Sequence, residues 1–204
     1  MNPSPTPSAR LAAAIIAALA LASFLVQPFV PEGGWWTNAA ARFRYFTTWA
    51  NTGALVVMAL VALGRRPGRA VLVSLVASLA VVGLVYWGLL AADHHPVGWD
   101  AATNQIDHTV VPLAVLGWWF AFAPSAERAD RMAPLLPAVV APPLIYAVFA
   151  LIYGKSTGFY PYFFSDQPRL GWAMFLLANL GLALLFAMIG AALVAIRYRL
   201  RLQS

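Results

Sequence analysis

The sequence predicts an all-α membrane protein, a six-transmembrane-helix bundle with both termini cytoplasmic. Three observations carry that prediction. The chain of 204 residues is 62% hydrophobic and only 10% charged, whereas a soluble domain carries about 25% charged residues. Six runs approach or exceed the roughly 20 mostly apolar residues that a bilayer crossing needs. The basic residues are also shared unequally between the segments that join these runs. There are too few polar side chains to cover a water-facing surface, which excludes an ordinary soluble enzyme, a disordered chain and a nucleic-acid binder. Cysteine is absent. That removes a disulfide frame, a thiolate nucleophile, an iron–sulfur cluster and a cysteine zinc site.

The runs fall at about 11–30, 44–63, 70–92, 108–123, 132–153 and 170–196. Each is expected to be helical, because hydrocarbon offers the backbone no hydrogen-bond partner. The runs do not alternate, as the strands of a membrane barrel would. Residues 1–10, with Pro3, Pro5 and Pro7, read as a disordered cytoplasmic tail. Arg10 and Ala18-Leu19-Ala20 lend the first run some likeness to a signal peptide. Its apolar character continues to Val30, which favours a retained anchor. The fourth run is short and is expected to begin within 101–107. The fifth carries Pro134, Pro137, Pro142 and Pro143 and is expected to bend near its start and middle. Residues 11–196 thus form the transmembrane domain, and 197–204 a basic cytoplasmic tail. Ala14, Ala18 and Ala22, and Ala183, Ala187, Ala191 and Ala195, form stripes of small residues. These allow close helix packing within the bundle or across a dimer seam, and leave the oligomeric state open.

With six crossings, Arg10, Arg65, Arg66, Arg69, Arg128, Arg131, Arg197, Arg199 and Arg201 lie on one side. Arg42, Arg44, Lys155 and Arg169 lie on the other. Positive residues collect on the cytoplasmic side, so the net charge of +6 is a topology signal. The opposite face holds His94, His95, His108 and most of the acids. Trp35, Trp36, Trp99, Phe159, Tyr160 and Tyr162 suit an outer aromatic belt.

Polar groups at membrane depth are costly unless paired, so each is a candidate site. The second helix opens with Thr47, Thr48, Asn51 and Thr52; the fourth opens with Asn104, Asp107, His108 and Thr109. Thr47 and Asn51 share one helix face, as do Asn104 and His108. Both helices run inward, so Thr47 and His108 sit at similar depth near the outer edge of the hydrocarbon. A hydroxyl and an imidazole in one layer form a possible nucleophile and base. Plainer roles stand beside this. A membrane threonine commonly bonds a carbonyl one turn back, an interfacial histidine is commonly wetted, and asparagines commonly hold helices together. Asp93, His94, His95, Asp107 and His108 invite a metal, but the adjacent histidines diverge and no H-E-x-x-H spacing occurs. No metal and no cofactor is therefore assigned. The segment 154–164 reads as an outer aromatic loop that caps a pocket.

Tyr45-Phe46-Thr47 followed by Asn51, Asn104-x-x-x-His108-Thr109 with Pro112, and Tyr160-Pro161 before the last helix resemble the androgen-induced and androgen-dependent family of integral-membrane threonine hydrolases, and most nearly its bacterial branch. The resemblance covers nearly the whole chain. It implies hydrolysis of fatty acid esters of hydroxy fatty acids, with Thr47 as nucleophile, His108 as base and Asn104 matching the asparagine of the histidine motif. Gln105 departs from the family, where a second histidine is frequent. The implied location is a bacterial cytoplasmic membrane, with the site near the outer leaflet. The implied partners are membrane lipids and a lipophilic ester, with no nucleic acid. Supporting roles are expected for Asn51, Asn104 and Asp93, the last being placed to orient His108. Asp107 points about 100° away on a helix. Tyr45, Trp49, Tyr160 and Pro161 are the expected substrate-binding residues. The rival reading is a non-catalytic lipid-binding or carrier protein whose polar cluster holds a headgroup.

Overall fold

A computed structural model describes residues 4–26, 34–123 and 132–202. Every regular element among them is helical. In order these are α1 (Pro7–Val26), α2 (Trp35–Arg42), α3 (Phe46–Ala62), α4 (Arg69–Val85), α5 (Gly98–Gln105), α6 (Val111–Phe122), α7 (Leu136–Thr157) and α8 (Gln167–Leu202). A π-helical turn, Tyr86–Leu90, extends α4, and a second, Ile106–Val110, joins α5 to α6.

Among the described residues, four helices are long and apolar enough to cross a membrane: Pro7–Val26, Arg69–Leu90, Leu136–Thr157 and Gln167–Leu200. The pair Trp35–Arg42 and Phe46–Ala62 qualifies together, bent by 98°. These apolar helices are compatible with an integral membrane protein. The run from Gly98 to Phe122 is helical throughout, starting three residues ahead of the stretch 101–107 expected to hold its start. Its polar opening, with Gln105, Asp107 and His108, leaves it outside that group.

Both chain ends are more regular than expected. The Thr6 hydroxyl accepts from the Ala9 N–H at 3.2 Å, a side-chain cap, and Pro7 starts the helix where a missing N–H costs nothing. Helix α1 thus takes in residues 7–10 of the expected tail. At the other end α8 runs to Leu202, so residues 197–202 of the segment expected as a basic tail prolong the helix. Val30, the expected end of the first span, lies outside the described residues. Helix α7 starts at Leu136 after Pro134, carries Pro137 in its first turn and keeps Pro142 and Pro143 inside. Gly158, at φ 76°, ends it in the left-handed region that glycine tolerates. Gly171, at φ 71° and ψ 166°, breaks the first turn of α8.

Helix α4 is the central element and packs on α3, α6, α7 and α8, while α1 lies against α3 and α6. The core joins Val73, Val76 and Leu79 of α4 to Met58 of α3, Val115 and Trp119 of α6 and Phe186 of α8. At one end of the bundle, arginines satisfy carbonyls that helix C-termini leave free, and an indole reaches a carbonyl in the first turn of α1. Arg10 Nε donates to the Ala62 carbonyl at 2.9 Å. Trp118 Nε1 donates to the Ala9 carbonyl at 2.9 Å. The Arg197 guanidinium donates to the carbonyls of Phe120 and Ala123. The beginning of α1 therefore meets the ends of α3 and α6, and the last turns of α8 join them. The starts of α3 and of the α5–α6 run lie at the opposite end.

Candidate active site

At that opposite end the chain turns from α2 into α3. Tyr45 is the extended N-cap residue, with φ −102° and ψ 138°, and makes no side-chain cap of its own. The cap comes from far along the chain: the Phe46 N–H donates to the Tyr162 phenol oxygen at 3.1 Å. Thr47 follows in the first turn. Across from it, the Ile106–Val110 π turn inserts extra backbone into the α5–α6 run, a device common at functional sites. Asp107 and His108 leave this turn toward different neighbours.

The Thr47 hydroxyl lies 3.2 Å from His108 Nε2, and His108 Nδ1 lies 3.0 Å from the Asn104 carbonyl oxygen. A carbonyl can only accept, so Nδ1 carries the proton and Nε2 presents its lone pair to the threonine; this tautomer is assigned from the network. The Tyr86 ring stacks on the imidazole, with centroids 3.9 Å apart and planes 23° apart. The Tyr86 hydroxyl is held by Asn104 Nδ2 at 2.6 Å. Asn51 Nδ2 donates to the Thr47 carbonyl at 3.0 Å and to the Asp107 carbonyl at 3.1 Å. One amide thereby clips the Thr47 segment to the Asp107–His108 segment. Gly83 of α4 faces the same turn, and a Cβ there would approach the His108 carbonyl to 3.2 Å.

Thr47 and His108 open onto a small, partly open pocket. Its walls are otherwise mostly apolar, with Val82 of α4, Pro143 of α7, and Leu182 and Phe186 of α8. Tyr86, Tyr146 and Tyr162 also line it. Mostly apolar walls with a few convergent polar groups are the usual form of a small-molecule site.

Asp107 serves another cluster. Its carboxylate takes Arg42 Nη2 at 2.7 Å and the Ser23 hydroxyl at 2.7 Å. These bonds tie α1 and α2 to the π turn.

The expected site residues divide accordingly. Thr47 and His108 meet, and the Thr47 hydroxyl is not spent on a carbonyl one turn back. That carbonyl, of Phe43, accepts the Trp49 indole at 2.7 Å. Asn104 supports His108 through its main-chain carbonyl, and Asn51 supports both segments. Asp93 is exposed, and the position expected for it on His108 belongs to the Asn104 carbonyl. Tyr45, Trp49, Tyr160 and Pro161 are absent from the cavity wall. Tyr45 packs on Phe159 and Tyr162, and Trp49 on Tyr146 and Phe149. The Tyr160 ring lies so close to Gly154 that a Cβ there would come within 2.1 Å of it.

Tyr162 is the residue that sequence reasoning passed over. Its hydroxyl accepts the Phe46 N–H at 3.1 Å, and the residue lines the same pocket as Thr47 and His108. Burial is the main cause that pushes this phenol above its ordinary range and keeps it protonated. Its one legible sign was a place in the aromatic loop before the last helix.

Compared with protein-family models, curated proteins and solved structures, the chain matches none.

Proposed function

We propose that this protein is an integral-membrane, threonine-type hydrolase that cleaves a lipid ester, of the kind implied by its resemblance to the androgen-induced and androgen-dependent family. The observation that carries the reading is the Thr47–His108 contact of 3.2 Å at the wall of a mostly apolar cavity. His108 Nε2 accepts the Thr47 proton as Oγ1 attacks the ester carbonyl carbon. The carbonyl π electrons move onto oxygen and then return, expelling the alcohol oxygen, which takes the proton from His108. Water next attacks the acyl-threonine, giving its proton to His108, and the acid leaves as Thr47 is reprotonated. Acyl chains lie along Val82, Pro143, Leu182 and Phe186.

In this reading the helices form six spans in a bacterial cytoplasmic membrane, with cytoplasmic termini and the site toward the outer leaflet. The grouping of Arg10 and Arg197 at the end of the bundle away from Thr47 supports that orientation, since basic residues favour the cytoplasmic side. A reporter fused after Ser204 is expected in the cytoplasm, and one exposed outside the cell refutes the topology.

The activity is tested with a fluorophosphonate probe on the membrane-embedded protein. Covalent labelling that maps to Thr47 and disappears in Thr47→Ala is the expected result. A wild-type protein that binds long-chain esters but neither labels nor hydrolyses them is a lipid-binding protein instead.

A further inference from the structure

We infer that Tyr162 is a further catalytic residue of this site, its phenolic O–H acting as the oxyanion donor when the Thr47 oxygen attacks an ester carbonyl. The inference rests on the reading of Thr47 as nucleophile. Acyl transfer places negative charge on the former carbonyl oxygen, and a preorganised donor aimed at that oxygen is commonly the largest catalytic contribution. The oxyanion forms two bonds away from Thr47 Oγ1, so a donor beside Thr47 at the same pocket is close to where the charge appears. Tyr162 meets that requirement: its hydroxyl is anchored by the Phe46 N–H at 3.1 Å, one residue before Thr47, and it lines the pocket that Thr47 and His108 line.

The other polar groups around the cavity have their donors committed elsewhere. Asn51 Nδ2 serves the carbonyls of Thr47 and Asp107, and Asn104 Nδ2 serves Tyr86. The Tyr146 hydroxyl donates to the Arg44 carbonyl at 2.7 Å, and the Tyr86 hydroxyl lies against His94 Nδ1 at 3.4 Å. Tyr162 is also held still. Its ring stacks on Phe164 at 5.0 Å and 8°, and Ser165 Oγ bridges its backbone, donating to the Tyr162 carbonyl at 2.7 Å and accepting from its N–H at 3.2 Å. The phenol oxygen in turn accepts the Phe46 N–H at 3.1 Å. That bond, at the positive end of α3, polarises the O–H and makes it a stronger donor.

During acylation, Oγ1 bonds to the carbonyl carbon, the Thr47 proton passes to His108 Nε2, and the π pair localises on the carbonyl oxygen. The Tyr162 O–H donates to that oxygen and keeps its own proton throughout. As the tetrahedral species collapses, the pair re-forms the carbonyl, and the leaving alcohol takes the proton from His108. The same donor serves the second tetrahedral species when water attacks.

The test uses the full-length protein in nanodiscs with p-nitrophenyl decanoate as substrate. Tyr162→Phe is expected to lower kcat about 100-fold, the effect of removing one oxyanion donor, with KM changed by less than about threefold. Phenylalanine also removes the acceptor for the Phe46 N–H, so a second pair of variants carries 3-fluorotyrosine or 3,5-difluorotyrosine at position 162. These keep the ring and the acceptor but make the O–H more acidic, and log kcat is expected to change progressively along the series below the pH at which each phenol ionises. A Tyr162→Phe enzyme with kcat within threefold of wild type overturns the inference. So does a flat fluorotyrosine series beside a phenylalanine variant whose activity falls only with its melting temperature. Thr47→Ala is assayed in parallel. If it stays active, the nucleophile assignment fails and this inference with it; if it is inactive while Tyr162→Phe turns over normally, only the Tyr162 assignment fails.

Discussion

Two polar clusters flank the seam between α3 and the Ile106–Val110 turn, and they differ in what lies beside them. On the α1 side, Ser23, Arg42 and Asp107 close on one another beside a smaller pocket, with the Arg42 and Asp107 side chains only 14% and 7% exposed. On the α4, α7 and α8 side, Thr47 meets His108 at 3.2 Å, and both border a larger, mostly apolar pocket that Tyr162 also lines. Adjacent residues, Asp107 and His108, belong to opposite clusters. Polarity at membrane depth therefore does not identify a site by itself. The α1-side cluster ties elements together, whereas the other sets a hydroxyl against an imidazole lone pair at the wall of a mostly apolar pocket.

The sharpest way to break this comparison is to remove the reactive pair. Thr47→Ala and His108→Ala are each expected to lower ester hydrolysis by about 1,000-fold or more, and the double variant to be little worse, because nucleophile and base act as a unit. Melting temperature measured alongside is expected to fall by only a few degrees, since each change loses about one hydrogen bond. Wild-type turnover in Thr47→Ala would make the cavity side as structural as the α1 side.

The converse substitution belongs to the closed cluster. Arg42→Met leaves the Asp107 carboxylate without its buried partner and is expected to cost about 3–5 kcal/mol of stability. Pairing it with Asp107→Leu is expected to restore part of that loss, read from thermal unfolding in detergent. Activity per folded molecule is expected to stay within tenfold of wild type. A collapse of activity in folded protein would show that the closed cluster reaches into the chemistry.

Asn51 stands between the two. Asn51→Ala frees the Thr47 and Asp107 carbonyls, which is expected to cost about 1–3 kcal/mol and to lower kcat by roughly tenfold through misplacement of Thr47. A stability loss with unchanged kcat would confine Asn51 to packing. The smallest effect is expected from Thr48→Ala. Thr48 is buried one residue from Thr47 but about 100° round the helix. Its replacement is expected to leave activity within twofold and stability within about 1 kcal/mol, both measured on the same preparation.

Much of the frame was legible in the residues themselves. Apolar run length set the approximate positions of α1, α3, α4, α7 and α8, because hydrocarbon and a packed core both demand helix of uninterrupted apolar sequence. Placing Thr47 and His108 in one layer needed only the direction of their helices and their distance from the helix starts. The 98° turn from α2 into α3 escaped notice because α2 is short and mixed in character. The two π turns escaped because a π turn arises from how the surrounding helices pack and not from a residue pattern of its own.

Which side chains meet was decided only in three dimensions. Helices that are apolar all round carry no periodic signal of their rotation, so composition could not say that Asp107 turns to Arg42 while His108 turns to Thr47. Nor could it say that the Asn104 carbonyl, and not the Asp93 side chain, takes His108 Nδ1. Tyr162 stands 116 positions from the Phe46 N–H that it caps, a separation over which local preference carries no information. The sequence by itself determined a helical, membrane-compatible chain with a hydroxyl and an imidazole at one depth. The packing of α4, α7 and α8 determined the cavity beside them and the phenol that lines it, because those contacts depend on the relative rotation and crossing of helices that only the assembled bundle defines.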